Sequence, residues 1–347
     1  MSSLGLGLGV NRFFGRGEIT PSLSTLFRQR VLEDNGTFEA QACLQDLINQ
    51  GLFDNANFVL TPNGYKAGKL YALKPESGDL DVDWARNGNA TRVNKNRLIE
   101  SVGNNVPRID YLGGDCPSIL VEPQRTNLVR SNFSEPYSNN LAPSEEIFHF
   151  QDSPFSESIS NAVSEGMKPT QGSRRYDYSF PTNSLEQGKI YTFSWYSKNI
   201  EEPLFSALGG FAFFQPVNID IEDGSQIQIE SDVNGFDRFQ INFSIIDETE
   251  LSRLRAYYGS ANGTDGVVRI LYAGMQIEEG EKASSTILTD GSAVTRPADA
   301  PQPITVPSGT TEIVEALEYG TFNTITTIPA TYTIPFGRFK YILFNGA

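Results

Sequence analysis

The sequence is poor in the residues that most often carry chemistry. It contains one histidine, two cysteines, two tryptophans and three methionines among 347 residues. A single histidine, His149 in a polar connector, gives no good support for a Ser-His-Asp or Cys-His arrangement, and zinc hydrolysis lacks ligands. Cys43 and Cys116 are far apart, so neither a zinc cluster nor a disulfide framework can be argued, and both are predicted to be small buried apolar side chains. The sequence therefore predicts a protein that is not an enzyme, with no catalytic, cofactor-binding or metal-binding residues.

Long apolar runs and positive charge are also scarce. No segment approaches the roughly 18 apolar residues that suggest a membrane span, and the first residues lack a basic region followed by a continuous apolar run. The formal net charge of −15 repels nucleic acid phosphates and anionic membrane surfaces. We therefore expect a soluble, unprocessed chain with no nucleic acid partner and no membrane insertion.

Carboxylates are abundant, and for that reason they mark no site. The 42 acidic residues guarantee pairs at the separation that a glycosidase needs without distinguishing any one pair. Asp79, Asp81 and Asp83 alternate along a predicted strand, where calcium could bridge them. A solvated strand face is the preferred interpretation, because calcium takes six to eight oxygens, usually from a turning loop.

Turn-forming and aromatic residues are plentiful. The chain has 31 Gly, 19 Pro, 23 Phe and 14 Tyr, and apolar and polar residues alternate between the turns over much of its length. This pattern predicts a mainly β fold. The chain is also long enough for more than one core.

Changes of pattern along the chain predict four parts. A Gly-rich arm over residues 1–20 is followed by a helical hairpin from Ser22 to Gly51, broken at Asn35-Gly36. Next come an irregular β adaptor, a jelly-roll or β-sandwich domain of short alternating strands, and a small β unit that acts as a tip or oligomer clasp. A monomeric hairpin cluster is the alternative for the last unit. The predicted boundaries are 1–55, 56–130, 131–300 and 301–347.

The adaptor carries a series of motifs in a fixed order. They are ATRVN at 90–94, LIE at 98–100, PRIDY at 107–111 and LVEPQRTNL at 120–128. Together they resemble the conserved block of bacteriophage head-spike and tail-fibre proteins. Downstream, YTFSWYSKN at 191–199 and the run at 271–299 are similar to the opening and closing strands of the carbohydrate-binding-module-like β-sandwich that follows this block.

The resemblance covers roughly residues 60–300 and has two departures. The family usually has Gly where Arg97 stands, and a Tyr-Ile-Pro-like run where this chain has Thr-Ile-Leu-Thr at 286–289. The first departure puts in question how tight the turn at Arg97 is. The second puts in question only the local path by which the chain leaves the β-sandwich.

The resemblance implies a structural virion protein on the outside of a phage particle. Such a fibre or spike subunit would be anchored by its N-terminus to capsid, collar or tail proteins, with β domains projecting for assembly and host-surface attachment. Other copies of the chain are expected partners, with a trimer by analogy with fibres. The alternatives are a receptor adhesin that binds host-surface glycan and a capsule depolymerase.

The residues themselves suggest two further expectations. Charged residues of the adaptor interleave with apolar ones, a composition able to bury charge pairs that fix register: Arg92, Glu100, Arg108, Asp110, Glu122 and Arg125. Aromatic side chains of the β domain could stack on sugar rings. Trp195 shares a strand face with Tyr191 and Phe193 and is predicted to be core, which leaves Tyr196, pointing the other way, with Tyr257 and Tyr258 as the glycan-binding candidates.

Overall fold

The computed structural model describes most of the chain. The described residues are 21–129, 146–150, 152–157, 159, 164–168, 174–180, 183–200, 211–213, 218–250, 252–258 and 270–346. The predicted Gly-rich arm lies outside them. Within these residues the fold is mainly β, as the sequence predicts, with two helices near the start.

The two helices confirm the predicted helical hairpin. They are α1 (Leu23–Glu33) and α2 (Gln41–Asn49), separated by the short strand β1 (Thr37–Phe38). Ser22 caps α1 by accepting a hydrogen bond from the backbone N–H of Thr25, and Asn35 follows the helix with a positive φ of 54°. No helix among the described residues is long and apolar enough to cross a membrane.

The first β region is built on a sheet of ten strands among the described residues. Its path runs β21-β4-β3-β2-β26-β23-β24, with β1 paired to β2 and the β7–β8 pair joined to β26. The strands other than β1 are β2 (Ala56–Lys66), β3 (Lys69–Lys74), β4 (Val82–Ala85), β7 (Arg108–Asp110), β8 (Ser118–Val121), β21 (Ala300–Pro301), β23 (Thr310–Leu317), β24 (Phe322–Ile325) and β26 (Gly337–Gly346).

This sheet corrects the prediction of a separate C-terminal unit at 301–347. β26 lies between β2 and β23, and the pairs Phe58↔Phe344 and Ile313↔Phe344 fix its register on both sides. The two halves of the first β region are therefore far apart in sequence but share one sheet. The alternating pattern predicted the strands correctly, but it carries no information on which distant strand each one pairs with.

Both faces of the sheet are covered. Leu60 and Ile342 belong to a core on one face, whereas Val59 and Leu343 belong to a core on the other face, under the two helices. Val31 of α1 and Leu44 of α2 are fully buried there. Gly64 in β2 allows α1 to approach, since a Cβ at this position would lie 2.7 Å from Val31 Cγ2. The helical hairpin is therefore part of the first β region, which corrects the predicted boundary at residue 55.

Among its described residues, the second β region contains two sheets. The larger runs β10-β11-β19-β13-β17-β15 with β16 on β17, and the smaller runs β12-β18-β14. The strands are β10 (Glu146–Phe150), β11 (Ser164–Lys168), β12 (Arg174–Phe180), β13 (Ile190–Asn199), β14 (Phe211–Phe213), β15 (Ile219–Ile221), β16 (Ile227–Val233), β17 (Phe236–Ile245), β18 (Ser252–Tyr258) and β19 (Ile270–Glu279).

Trp195 lies in the core of this region, as predicted. It is fully buried, and its ring stacks on Phe193 and Phe239 with centroids 5.1 and 6.0 Å apart. Leu254 from the smaller sheet belongs to the same core cluster. His149 lies in β10 rather than in a connector, paired in register with Glu165.

Short strand pairs complete the fold. β9 (Arg125–Asn127), entering the second β region, pairs with β20 (Val294–Arg296), which returns from it. β5 (Ala90–Val93) and β6 (Ile99–Val102) form a hairpin, and β22 (Ile304–Thr305) pairs with β25 (Thr331–Tyr332). The chain thus leaves the first β region and re-enters it at adjacent positions.

Candidate functional site

The motif-bearing block lies where the two β regions meet. In its first hairpin, Arg92 on β5 donates to Glu100 on β6 over 2.7 Å, and the Asn94 side-chain amide donates to the same carboxylate over 3.0 Å. The Asn94 side-chain oxygen also accepts from the backbone N–H groups of Asn96 and Leu98. These local bonds fix the conformation of the β5–β6 turn, so the polar residues of the first motif have a structural role.

A buried cluster of charges lies beside this hairpin, and we call it the polar junction. Arg108 donates to Glu122 over 2.6 Å and to Ser285 over 2.7 Å. Arg296 donates to the same two side chains over 2.5 and 2.7 Å. The members are Arg86, Arg108, Glu122, Ser285, Arg296 and Asp299.

Asp299 completes the polar junction from the returning chain. Its carboxylate accepts from Arg86 over 2.9 Å, from the backbone N–H of Glu122 over 2.9 Å, and from Arg108. Arg86 also donates to the carbonyls of Gly88, Val106 and Gly103. The side chains of Arg86, Arg108 and Asp299 have no exposed surface. Because charge-assisted hydrogen bonds are directional, this cluster fixes one relative placement of the segments it joins.

The electrostatics of the cluster depend on mutual compensation. Burial by itself raises the pKa of Glu122, but the charges of Arg296 and Arg108 outweigh it and hold that pKa well below its ordinary value. Burial likewise disfavours the charged form of Arg108, yet Glu122 and Asp299 raise its pKa above the ordinary value. Each charge is therefore stable in the interior only while its partners are present.

An apolar cluster also contains residues of this hairpin, and we call it the apolar junction. Val93 of the first motif and Ile99 of the second pack with Leu112 against the outer face of the second β region. The second region contributes Phe155, Ile159, Tyr196, Val233, Phe236, Leu271 and Ala273. The two junctions together fasten the β regions through one charged and one hydrophobic contact surface.

Arg97 lies in the turn between β5 and β6, whose tightness the sequence left in question. Its backbone has a positive φ of 62°, which favours Gly. Its guanidinium donates to the carbonyls of Tyr111 and Leu112 over 2.6 Å and to those of Ser231 and Asp232 over 3.1 Å. The residue therefore adds a bridge between the β regions that a glycine could not make.

The structure corrects the prediction that Tyr196 is available to a glycan. As predicted, it points away from Trp195, but that face is covered by the apolar junction, and only 2% of Tyr196 is exposed. Its hydroxyl donates to Glu230 over 2.7 Å, and Arg238 lies over its ring. Burial and the neighbouring Glu230 raise the pKa of Tyr196. A side chain enclosed in this way has no face left for a sugar.

The other aromatic candidates lie elsewhere. Tyr257 and Tyr258 are consecutive residues of β18, where Tyr258 pairs in register with Arg174 and with Phe211. They lie in the smaller sheet, whereas Tyr196 lies in the larger one, so the structure does not bring the three candidates together in one strand pair.

The predicted strand face of aspartates is not formed. β4 begins at Val82, and Asp81 accepts hydrogen bonds from Arg30 over 3.0 Å and from the backbone N–H of Ala72 over 2.9 Å. Asp79 instead accepts from Ser77 in the preceding turn. In the part of the chain that the structure describes, no group of three or more His, Cys, Asp or Glu side chains could hold a metal ion.

The two cysteines form a disulfide, which corrects the prediction of two separate buried thiols. The Cys43 and Cys116 sulfurs are 2.02 Å apart, and the bond joins α2 to the loop before β8 across 73 residues of sequence. Their positions in the sequence carry no signal for this pairing, because it depends on the helix docking beside that loop. The bond ties the helical hairpin to the motif-bearing block.

Only part of the polar junction is predicted by the sequence. Of the six adaptor charges predicted to form buried pairs, five make ion pairs. Arg92 pairs with Glu100, Arg108 with Glu122, and Asp110 with Arg338. Glu122 also pairs with Arg296, as described above. Arg125 has no ion-pair partner among the described residues. The partners Arg86, Arg296 and Asp299 were not predicted. A signal existed for two of them, because Arg296 and Asp299 lie in the resembled run at 271–299 and carry charges opposite to Glu122 and Arg108 of the motif block.

No known family model matches the chain, and no curated protein matches its sequence. Chemically, the arrangement at the junctions positions two β regions and encloses its charges rather than presenting them to solvent.

Proposed function

We propose that the chain is a structural subunit of a phage virion, a fibre or spike component that projects β domains from the particle. The supporting observation is the use of the motif residues. The resembled block places Arg108 and Glu122 in the polar junction and Val93 and Ile99 in the apolar junction, and these contacts set the relative placement of two β regions. A rigid projecting subunit needs this property, and a reactive pocket does not.

In this proposal the second β region is a β-sandwich and is the part that projects outward. The two sheets share a core containing Trp195 and Leu254, which is compatible with a carbohydrate-binding-module-like sandwich or jelly roll. Assembly with other copies, as a trimer by analogy, would give avidity to individually weak contacts. The proposed partners are capsid, collar or tail proteins and a host-surface glycan.

The test is the location of the chain in particles. Mass spectrometry of purified particles and immunogold labelling with an antibody to the chain should find it on the virion exterior. Deletion of residues 2–20 should prevent incorporation while the β regions remain folded by circular dichroism. Deletion through residue 50, by contrast, should unfold the first β region, because it removes Val31, Leu44 and the disulfide.

Two results would overturn the proposal. One is absence of the chain from purified particles. The other is release of reducing sugars from host capsule by the purified chain, which would support a depolymerase instead.

A further inference from the structure

A groove opens beside the bridge that Arg97 makes between the β regions. Its volume is about 620 Å³, within the range of about 300–1,000 Å³ that small-ligand sites usually occupy. One wall is the loop at 112–115, and the opposite wall is β16 from Gln228 to Asp232. Tyr319, in the turn between β23 and β24, also lines the groove. With Arg97, four separate parts of the chain thus converge on one open space.

We propose that this groove binds an uncharged oligosaccharide, which would make it the host-attachment site of the function proposed above and rests on that function. Tyr319 carries the first argument. It is 75% exposed, the largest exposure among the large hydrophobic side chains of the described residues. An exposed aromatic ring beside a polar groove provides an apolar face for a sugar ring and a hydroxyl for a hydrogen bond.

The polar lining carries the second argument. Asp115, Gln228, Ser231 and Asp232 are exposed and line the groove. Carboxylates accept hydrogen bonds from hydroxyl groups, and an amide both donates and accepts. β16 pairs only with β17 among the described strands, and Arg97 binds its carbonyls at Ser231 and Asp232, so backbone hydrogen bonds to a ligand are available only along the rest of its other edge. Hydroxyl-rich ligands match this mixture of acceptors and donors.

The charges define the ligand further. Arg97 is the groove's cation, but its donors already bind four backbone carbonyls. Glu230 is occupied by Arg238 and Tyr196. Asp115 and Asp232 remain on the walls, in a chain of net charge −15. Anionic saccharides would be repelled, which selects neutral ones.

The walls are held in place before any ligand arrives. Arg97 ties the 111–112 backbone to β16, the Cys43–Cys116 disulfide anchors the loop next to Asp115, and Lys340 donates to the carbonyl of Cys116 over 2.5 Å. A groove with fixed walls loses little conformational entropy on binding. This favours useful affinity from a small number of contacts.

The test uses the full chain on a printed glycan array that contains neutral, sialylated and sulfated oligosaccharides. We expect binding to a neutral subset, with dissociation constants then measured by calorimetry on the bound glycan. Tyr319→Ala should weaken binding about tenfold, whereas Tyr319→Phe, which keeps the ring, should remain within about threefold. Phe336→Ala is the matched control, because Phe336 is 60% exposed and lies outside the groove lining.

Thermal unfolding of each variant verifies that the fold is intact, since Tyr319 makes little buried contact. Binding restricted to anionic glycans, no binding on the array, or equal binding by wild type and Tyr319→Ala would each overturn the assignment. These outcomes do not bear on the virion role, because incorporation into particles is measured independently. A chain that is present in particles but binds no neutral glycan would refute the groove alone.

Discussion

The polar and apolar junctions perform the same mechanical task by different physics. In the polar junction, Arg108, Glu122 and Asp299 are stable only as a set, so loss of one member leaves a buried charge without compensation. In the apolar junction, Ile99 and Phe236 contribute separately through the area they remove from water. The charged surface therefore supplies a unique placement of the two regions, and the hydrophobic surface supplies stability that tolerates small changes.

The sharpest way to separate the two junctions is Asp299→Asn. The substitution keeps the shape but removes the charge that compensates Arg86 and Arg108, and we expect a loss of about 3–5 kcal/mol in the free energy of unfolding. Urea denaturation measures it. Glu279→Gln, at an exposed ion pair with Lys189, should change little. A loss at Asp299 as small as that of the control would contradict the distinction.

The apolar junction is probed by Ile99→Ala, in a side chain that is 2% exposed. We expect a loss of about 2–5 kcal/mol, and about 0.5–1.5 kcal/mol for Ile99→Val, because the cost follows the volume removed. Neither value should depend on pH, since no charge changes. Equal effects of the two substitutions would mean that the cluster is not closely packed.

The disulfide lies outside both junctions and tests whether they act independently of the helical hairpin. Replacing Cys43 and Cys116 together by Ser should cost about 2–4 kcal/mol, because the bond restricts a long segment of the unfolded chain. The measurement is urea denaturation without reductant, with reduced wild type as the control. A change in the cost of Asp299→Asn in this background would show that the junction depends on the cross-link.

Acid should act on the polar junction selectively. Glu122 has a lowered pKa in the folded chain, so its contribution is fully present above about 4.5, its ordinary value, and is lost as the pH falls through the folded value. The stability difference between wild type and Glu122→Gln should therefore shrink below pH 4.5. Denaturation series from pH 7 to pH 3 measure this. A difference that stays constant would show that Glu122 keeps an ordinary pKa.

The smallest expected effect concerns the bridge at Arg97. Arg97→Gly loses four hydrogen bonds but relieves the positive φ, whereas Arg97→Ala loses the same bonds and keeps the strain. We therefore expect Ala to be less stable than Gly by about 1 kcal/mol. Thermal and urea unfolding of the two variants compare them directly. If Ala were the more stable variant, strain at this position would be negligible.

Local features of the fold could be predicted from sequence, and long-range ones could not. The helical hairpin and the burial of Trp195 follow from periodicity, which depends on neighbouring residues. The pairing of β26 with β2, the Cys43–Cys116 bond and the enclosure of Tyr196 depend on which distant segments meet. The direction of the Tyr196 side chain was predicted correctly, but the apolar junction that encloses it includes Val93 and Ile99 of the other region.

The candidate site shows the same limit. Arg108 and Glu122 are two of the six charges from which the sequence predicts buried pairs, because all six interleave with apolar residues in one block, but the pattern does not say which charge pairs with which. Asp299 was missed because its role exists only after the chain returns from the second region. The groove beside Tyr319 combines residues near 97, 115, 230 and 319, and no pattern within any one of these segments indicates it.

The central position of β26 has a consequence for the order of folding during synthesis. Residues 337–346 pair with β2, about 280 positions earlier in the chain, so the first sheet cannot close until they have left the ribosome. Every strand pair of the two sheets in the second region is available sooner. We expect the inserted region to fold first, while the earlier strands wait with open edges. That interval is the stage at which misassembly between nascent chains is most favoured.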